Sequence, residues 1–171
     1  CKMREWITLR FPKYITSCAP TNACADIIIT SPTKWSNGSK TLCDKQKIIL
    51  RNNGTLTLDN YILTRVTINP TSPCQNLVKL HNWDGIYLET NKNTIILKNN
   101  SIIEYSENGI QALNGGRITL ENSKFQNNRK AIHCENDVRL ALTNSEINVP
   151  KYCNTVQVRL INTGAKIDNT K

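Results

Sequence analysis

The segment Arg117-Ile118-Thr119-Leu120-Glu121-Asn122 carries a pattern that returns along the chain, and this repetition indicates the architecture. The related segments are Thr55-Leu56-Thr57-Leu58-Asp59-Asn60, Thr94-Ile95-Ile96-Leu97-Lys98-Asn99 and Arg139-Leu140-Ala141-Leu142-Thr143-Asn144. The anchors Leu97, Leu120 and Leu142 are 23 and 22 residues apart. Self-similarity at a fixed spacing is typical of a repeat architecture.

A second series, interleaved with the first, has the same period. Its members are Asp84-Gly85-Ile86, Asn108-Gly109-Ile110 and Lys130-Ala131-Ile132, whose isoleucines are 24 and 22 residues apart. Two series with one period predict a coil in which each turn lies about 4.8 Å above the previous one.

The composition favours strands and tight bends. The chain has 171 residues, of which 23 are Asn, 20 are Ile and 18 are Thr. Isoleucine and threonine are β-branched and favour strands, and asparagine tolerates the left-handed conformation of tight bends. Helical spacing of apolar residues is almost absent. The length fits one domain, and the class is all-β.

We therefore expect a right-handed, single-stranded parallel β-helix of about five to six turns of 22–24 residues. Residues 1–25 are expected to form an irregular, disulfide-containing cap or linker, residues 26–149 the coil, and residues 150–171 a last strand and a polar tail. The period is interrupted at residues 65–82, which we interpret as an enlarged turn or an extra rung. Alternation places six residues inside the coil: Leu56, Leu58, Ile118, Leu120, Leu140 and Leu142.

The asparagines that end the repeated segments predict a structural ladder. If the turns stack in register, Asn60, Asn99, Asn122 and Asn144 lie above one another at a bend, and each side-chain amide can bond to the next. The apolar residues three positions later are Leu63, Ile102, Phe125 and Ile147.

The seven cysteines indicate an oxidising compartment with up to three disulfides and one remaining thiol. No pair has the close spacing of a zinc site, so we expect no metal. The candidate disulfide cysteines are Cys18, Cys24, Cys43, Cys74, Cys134 and Cys153, and we expect Cys18 to pair with Cys24 or Cys43. The remaining Cys1 is an acylated lipoprotein terminus, a disulfide partner or an accident of where the chain was cut.

The repeated region resembles the parallel β-helix repeats that are common in large secreted and surface proteins of Bacteroidetes-type bacteria. The resemblance covers roughly residues 26–150. It rests on Trp83-Asp84-Gly85-Ile86, on Asn99-Asn100-Ser101-Ile102-Ile103-Glu104-Tyr105-Ser106-Glu107-Asn108-Gly109-Ile110 and on Leu120-Glu121-Asn122-Ser123-Lys124-Phe125. It implies an extracellular or cell-surface scaffold and no single activity.

The charges disfavour nucleic acid as a partner. The chain carries a net charge of +9, but residues 52–148 contain nine basic and nine acidic residues, so the excess lies at the ends. Nucleic-acid binding needs basic residues interleaved with stacking aromatics along one face. No apolar run approaches the length of a membrane span.

Enzymatic candidates are weak, because the acidic residues of the coil are scattered singly and a glycosidase needs two carboxylates across the scissile bond. The best available cleft for a glycan combines Trp83, Tyr87, Glu89 and Glu104, with Asp84 nearby. His133 alternates with inward-facing neighbours and is expected at the surface.

We predict a non-catalytic structural or adhesive module of a larger extracellular or cell-surface protein or appendage, without a cofactor. The alternative is a glycan-binding or polysaccharide-degrading module that uses the cleft above. The expected partners are other domains of a longer chain or identical subunits, and glycans are a further candidate.

Overall fold

The computed structural model describes residues 24–65, 83–148 and 158–168, and these residues form strands joined by short turns. The strands are β1 Ile27–Ile29, β2 Pro32–Leu42, β3 Lys47–Leu50, β4 Thr55–Arg65, β5 Trp83–Leu88, β6 Thr94–Lys98, β7 Ile102–Glu104, β8 Ser106–Ala112, β9 Gly116–Glu121, β10 Lys124–Gln126, β11 Lys130–Glu135, β12 Val138–Thr143, β13 Glu146–Asn148, β14 Val158–Ile161 and β15 Gly164–Asp168.

All neighbouring strands pair in parallel, so the predicted parallel β-solenoid is confirmed. Each turn of the coil, here called a lap, supplies strands to three faces. Face 1 is β1-β3-β5-β8-β11-β14. Face 2 contains the first halves of β2 and β4 followed by β6, β9, β12 and β15, and face 3 contains the second halves of β2 and β4 followed by β7, β10 and β13. The described strands make five laps, which begin at β1, β3, β5, β8 and β11, and the start of a sixth at β14.

Like side chains are superposed in the core. One inward column of face 1 contains Ile27, Ile48, Ile86, Ile110, Ile132 and Val158, matched residue to residue by the strand register. On face 2 the six residues predicted to face inward are all buried. Burying apolar side chains contributes about 1.5–3 kcal/mol each, so these columns supply most of the stabilisation that holds the laps together.

Asparagines turn the chain between faces 2 and 3. Asn37, Asn60, Asn99, Asn122 and Asn144 occupy equivalent corners and have φ between 47° and 54°. A residue with a Cβ pays a steric penalty in this left-handed region, and asparagine is one of the few that adopts it routinely. The repeated asparagine is therefore a requirement of the backbone at this corner.

The lap that contains Asn99 has one additional residue at this corner, Asn100, which is also left-handed with φ 65°. As a result Ile103, and not Ile102, pairs with Leu63 and Phe125 in the inward column of face 3. The spacing of three residues after each corner asparagine therefore does not hold in this lap, and Ile103 is the buried residue.

The interruption after residue 65 is not an extra rung. Strand β3 pairs directly with β5, and β4 pairs directly with β6 and β7, so no lap intervenes. Residues 66–82, which include Cys74, lie outside the described part of the chain. The coil also extends further than expected, because Gly164–Asp168, predicted as a polar tail, forms β15 and pairs with β12.

The disulfide in the N-terminal region joins Cys24 to Cys43, so the expected pairing of Cys18 with either of them is wrong. Cys134 is a free thiol and not a disulfide partner, because the strand directs it into the core between Ala112 and Leu160. Burial raises the pKa of this thiol to about 12. Cys1, Cys18, Cys74 and Cys153 lie outside the described residues.

Candidate functional site

The cleft predicted around Trp83 does not form. Trp83 has no exposed surface, and its Nε1 donates to the backbone carbonyl oxygen of Glu104 at 2.8 Å. The indole lies at the start of β5, on face 1 of the third lap, and is packed within the core. Trp83 therefore cannot contact a glycan, and its selection as a glycan contact is wrong.

Tyr87 lies on the outer surface of face 1 within a polar cluster. Its hydroxyl donates to Asp84 Oδ1 at 2.8 Å and accepts from Asn108 Nδ2 at 3.2 Å. Lys47 Nζ lies 3.5 Å from Asp84 Oδ2 and 5.2 Å from the centre of the tyrosine ring. Burial and the neighbouring Asp84 raise the pKa of Tyr87, so the phenol stays protonated and acts as a donor.

The two remaining residues of the predicted cleft, Glu89 and Glu104, lie apart, and each carboxylate already has a side-chain partner. Glu89 follows face 1 and forms a two-oxygen pair with Arg51 Nε at 2.9 Å. Glu104 lies on face 3, where its Oε2 accepts from Gln126 Nε2 at 2.7 Å. The structure thus brings Tyr87 and Asp84 together and leaves Glu89 and Glu104 on different faces.

Outward charges join one lap to the next. Asp59 receives Lys34 Nζ of the first lap at 2.8 Å and Lys98 Nζ of the third lap at 3.5 Å. Hydrogen bonds from Lys34 and Asn99 lower the pKa of Asp59 to about 2. Three further contacts span about one lap: Arg51–Glu89, Arg129–Glu107 at 2.9 Å and Lys124–Glu146 at 3.1 Å.

The asparagine corners carry two different sets of side-chain bonds. On the outside, Asn60 Nδ2 donates to Asn37 Oδ1 at 3.1 Å, while Asn99 Nδ2 donates to Asp59 Oδ1 at 2.7 Å. On the inside, Ser101, Ser123 and Ser145 are buried in one column. The Ser145 hydroxyl accepts from the Ser123 N–H at 3.3 Å, so a serine hydroxyl joins these two laps one position after the asparagine corner.

His133 points outward as predicted and contacts Glu135, with Nε2 2.8 Å from Oε1. It stands in the outward column of face 1 between Gln111 and Arg159. Both partners of this contact are on one strand, two residues apart, so the pair covers the surface of a single lap.

A basic groove, which the sequence does not single out, runs along the corner between faces 1 and 2. It encloses about 730 Å³ and is lined by Lys92, Arg117, Arg139 and Asp137 together with small polar residues and glycines. The strand register makes Thr94, Arg117, Arg139 and Gly164 successive neighbours on four laps. The two arginines thus project from adjacent strands about 4.8 Å apart.

The side-chain amide of Asn93, which is buried, and Gly116 fix the backbone that lines the groove. Asn93 accepts the N–H of Thr90 at 2.8 Å and donates to Gly54 O at 3.4 Å, which holds the turn that carries Lys92. Gly116 has φ 124°, and a Cβ there would lie 2.9 Å from Leu88 Cδ2. A side chain is therefore excluded from the floor of the groove beside Arg117.

Within the described residues, Lys92, Arg117 and Arg139 have no ion-pair partner, and Asp137 of the same groove forms none either. The signal for this pair was present in the repeat, since aligning Ile118 with Leu140 also aligns Arg117 with Arg139. The net charge of residues 52–148 does not reveal this arginine pair, because the region contains equal numbers of basic and acidic residues.

The searched part of the chain holds no cluster of three or more His, Cys, Asp or Glu side chains suited to a metal ion. It also has no helix with the length and apolar character needed to cross a bilayer. Comparison of the chain with family models, with curated proteins and with solved structures finds no match.

Proposed function

We propose that this chain is a non-catalytic structural or adhesive module, a stiff β-solenoid segment of a larger extracellular or cell-surface assembly. Its partners in that assembly are further domains of a longer chain or identical subunits.

The observation that carries the proposal is that ion pairs between outward-facing side chains connect neighbouring laps along the coil axis. Asp59 is contacted by lysines of the laps before and after it, and Arg51–Glu89 and Lys124–Glu146 join other neighbouring laps. A single exposed ion pair contributes about 0–1 kcal/mol, but a series of them resists the separation of laps under tension. Carboxylates held in this way support a structural role over acid–base chemistry.

The proposed setting is supported by the Cys24–Cys43 disulfide, since such bonds persist in oxidising compartments. The resemblance of the repeats to those of bacterial surface proteins points in the same direction. Polysaccharide cleavage, the alternative, gains no support from Glu89 and Glu104, which are paired on different faces.

Pulling the molecule between its two ends in a force spectrometer tests the proposal. A structural coil is expected to unfold in steps of one lap, each releasing roughly 75–80 Å of chain for the regular laps of 22–24 residues at about 3.4 Å per residue. The lap from Ile48 to its register partner Ile86 is longer in sequence and should give a correspondingly longer step. The double variant Asp59→Asn/Glu89→Gln removes the carboxylates of two ion-pair sites between laps. It should unfold at lower force than the unmodified chain.

A parallel assay incubates the protein with neutral and acidic polysaccharides and measures new reducing ends and unsaturated products. We expect none above the buffer blank. Catalytic release of product, or extension of the coil without resistance to force, would overturn the structural assignment.

A further inference from the structure

We propose that the groove lined by Arg117 and Arg139 binds an acidic polysaccharide, with the acid groups of the polymer held by the two guanidinium groups. This inference is independent of the structural role proposed above, because that role depends on the paired charges and this one on the unpaired ones.

The first argument is electrostatic. In the Lys34–Asp59–Lys98 cluster of face 2 the outward charges alternate in sign from lap to lap. Arg117 and Arg139 instead place two like charges on directly neighbouring strands, and no carboxylate of the described residues pairs with them. Like charges placed directly opposite destabilise a sheet. An anion bound between them would remove this repulsion.

The second argument is the shape of the site. A volume of about 730 Å³ lies within the range of ligand sites in proteins. The groove crosses four laps along the coil axis, from Thr94 to Gly164, with the arginines in its middle. A guanidinium group presents a planar fork of donors that matches carboxylate and sulfate oxygens. An extended polymer with acid groups along its length fits this arrangement.

The lining favours sugar over nucleic acid. Asn91 and Thr94 offer an amide and a hydroxyl that can bond to sugar hydroxyls, and none of the described lining residues is aromatic. Single-stranded nucleic acid is usually held by aromatic side chains on which bases stack. The groove supplies no such platform.

Two lining residues set the strength of binding. Asp137 places a negative charge beside the arginines and opposes an anionic ligand. Gly164 continues the arginine row on the next lap but has no side chain, and a Cβ added there meets no atom within 4 Å. Removing the charge of Asp137, or adding an arginine at position 164, should therefore tighten binding.

Binding of polygalacturonate, dextran sulfate, uncharged dextran and single-stranded DNA to the full chain tests the proposal, measured by calorimetry at low and high salt. The main variant is Arg117→Gln/Arg139→Gln. The matched control is Lys130→Gln/Arg159→Gln, which removes the same charge from exposed positions outside the groove and outside the left-handed region. All variants change exposed side chains, and thermal melting checks that they fold.

We expect binding of polygalacturonate or dextran sulfate, and the stronger of the two identifies the acid group. The arginine double variant should bind at least tenfold more weakly, while the control pair changes affinity by less than about threefold; Asp137→Asn and Gly164→Arg should bind more tightly. High salt should weaken binding.

Three results would overturn the proposal. They are no binding of either acidic polymer by the unmodified chain, an equal loss in the control pair, and tighter binding of DNA than of both polysaccharides. An equal loss in the control would show that net charge alone attracts the polymer.

Discussion

Trp83 donates its indole N–H to the backbone carbonyl oxygen of Glu104 at 2.8 Å. The two residues lie at the start of β5 and at the end of β7, so the bond joins the beginning of the third lap to its end. This bond gives the buried indole N–H a partner, while the Glu104 carboxylate faces outward and contacts Gln126.

Trp83→Phe should lower the free energy of unfolding by about 1–3 kcal/mol, because it removes this buried hydrogen bond and part of the ring volume. Urea denaturation followed by circular dichroism measures the change. Glu104→Gln keeps the backbone carbonyl and should stay within about 0.5 kcal/mol of the unmodified chain. Equal losses in the two variants would contradict this role of the tryptophan.

Asn122→Leu should destabilise the coil by about 1–2 kcal/mol, since a leucine must adopt φ near 48° at this corner. Asn122→Gly should be close to neutral, because glycine adopts this conformation without a steric penalty. Thermal melting of both variants separates the backbone requirement from an amide ladder. If the glycine variant loses as much stability as the leucine variant, the side-chain amide and not the backbone explains the asparagine.

Asp59→Asn should remove an acid-sensitive part of the stability. Its pKa is lowered from the ordinary value of 3.8 to about 2 by hydrogen bonds from Lys34 and Asn99. A lowered folded-state pKa contributes stability that is complete above pH 4 and is lost as the pH falls towards 2. Urea midpoints should therefore differ between the two proteins at pH 7 and converge near pH 2. A constant difference over this pH range would refute the assignment.

Asn128→Ala should lower the free energy of unfolding by about 1–3 kcal/mol, because it leaves buried groups unpaired. The amide is almost wholly buried, accepts from the Ser106 N–H at 3.0 Å and hydroxyl at 2.7 Å, and donates to Ile103 O at 2.9 Å. Asn127→Ala at the adjacent exposed position is not a suitable control, since Asn127 has φ 56°. Asn114→Ala, exposed and outside the left-handed region, is the matched comparison and should be nearly neutral.

The architecture could be read from the sequence because the signal is periodic and local. Leu120 and Leu142 repeat at the length of one lap, and alternation then fixes which side chains face inward. The extra residue Asn100 could not be located in this way, because either Ile102 or Ile103 satisfies an apolar pattern. The strand register decides for Ile103.

The groove was missed for a different reason. The groove is basic because Arg117 and Arg139 have no ion-pair partner among the described residues. This can be seen only when the neighbouring laps are in place. For Trp83 the sequence misleads because an aromatic residue beside carboxylates resembles a sugar-binding surface, whereas its burial is visible only when the laps are stacked.

Seventeen residues separate β4 from β5 and a single residue separates β7 from β8, yet β3 pairs with β5 as directly as β5 pairs with β8. The number of residues that connect face 3 to the next strand of face 1 is therefore uncoupled from the pitch of the solenoid. A foreign peptide or a small domain could accordingly be grafted at this corner, and the coil above and below would keep its register.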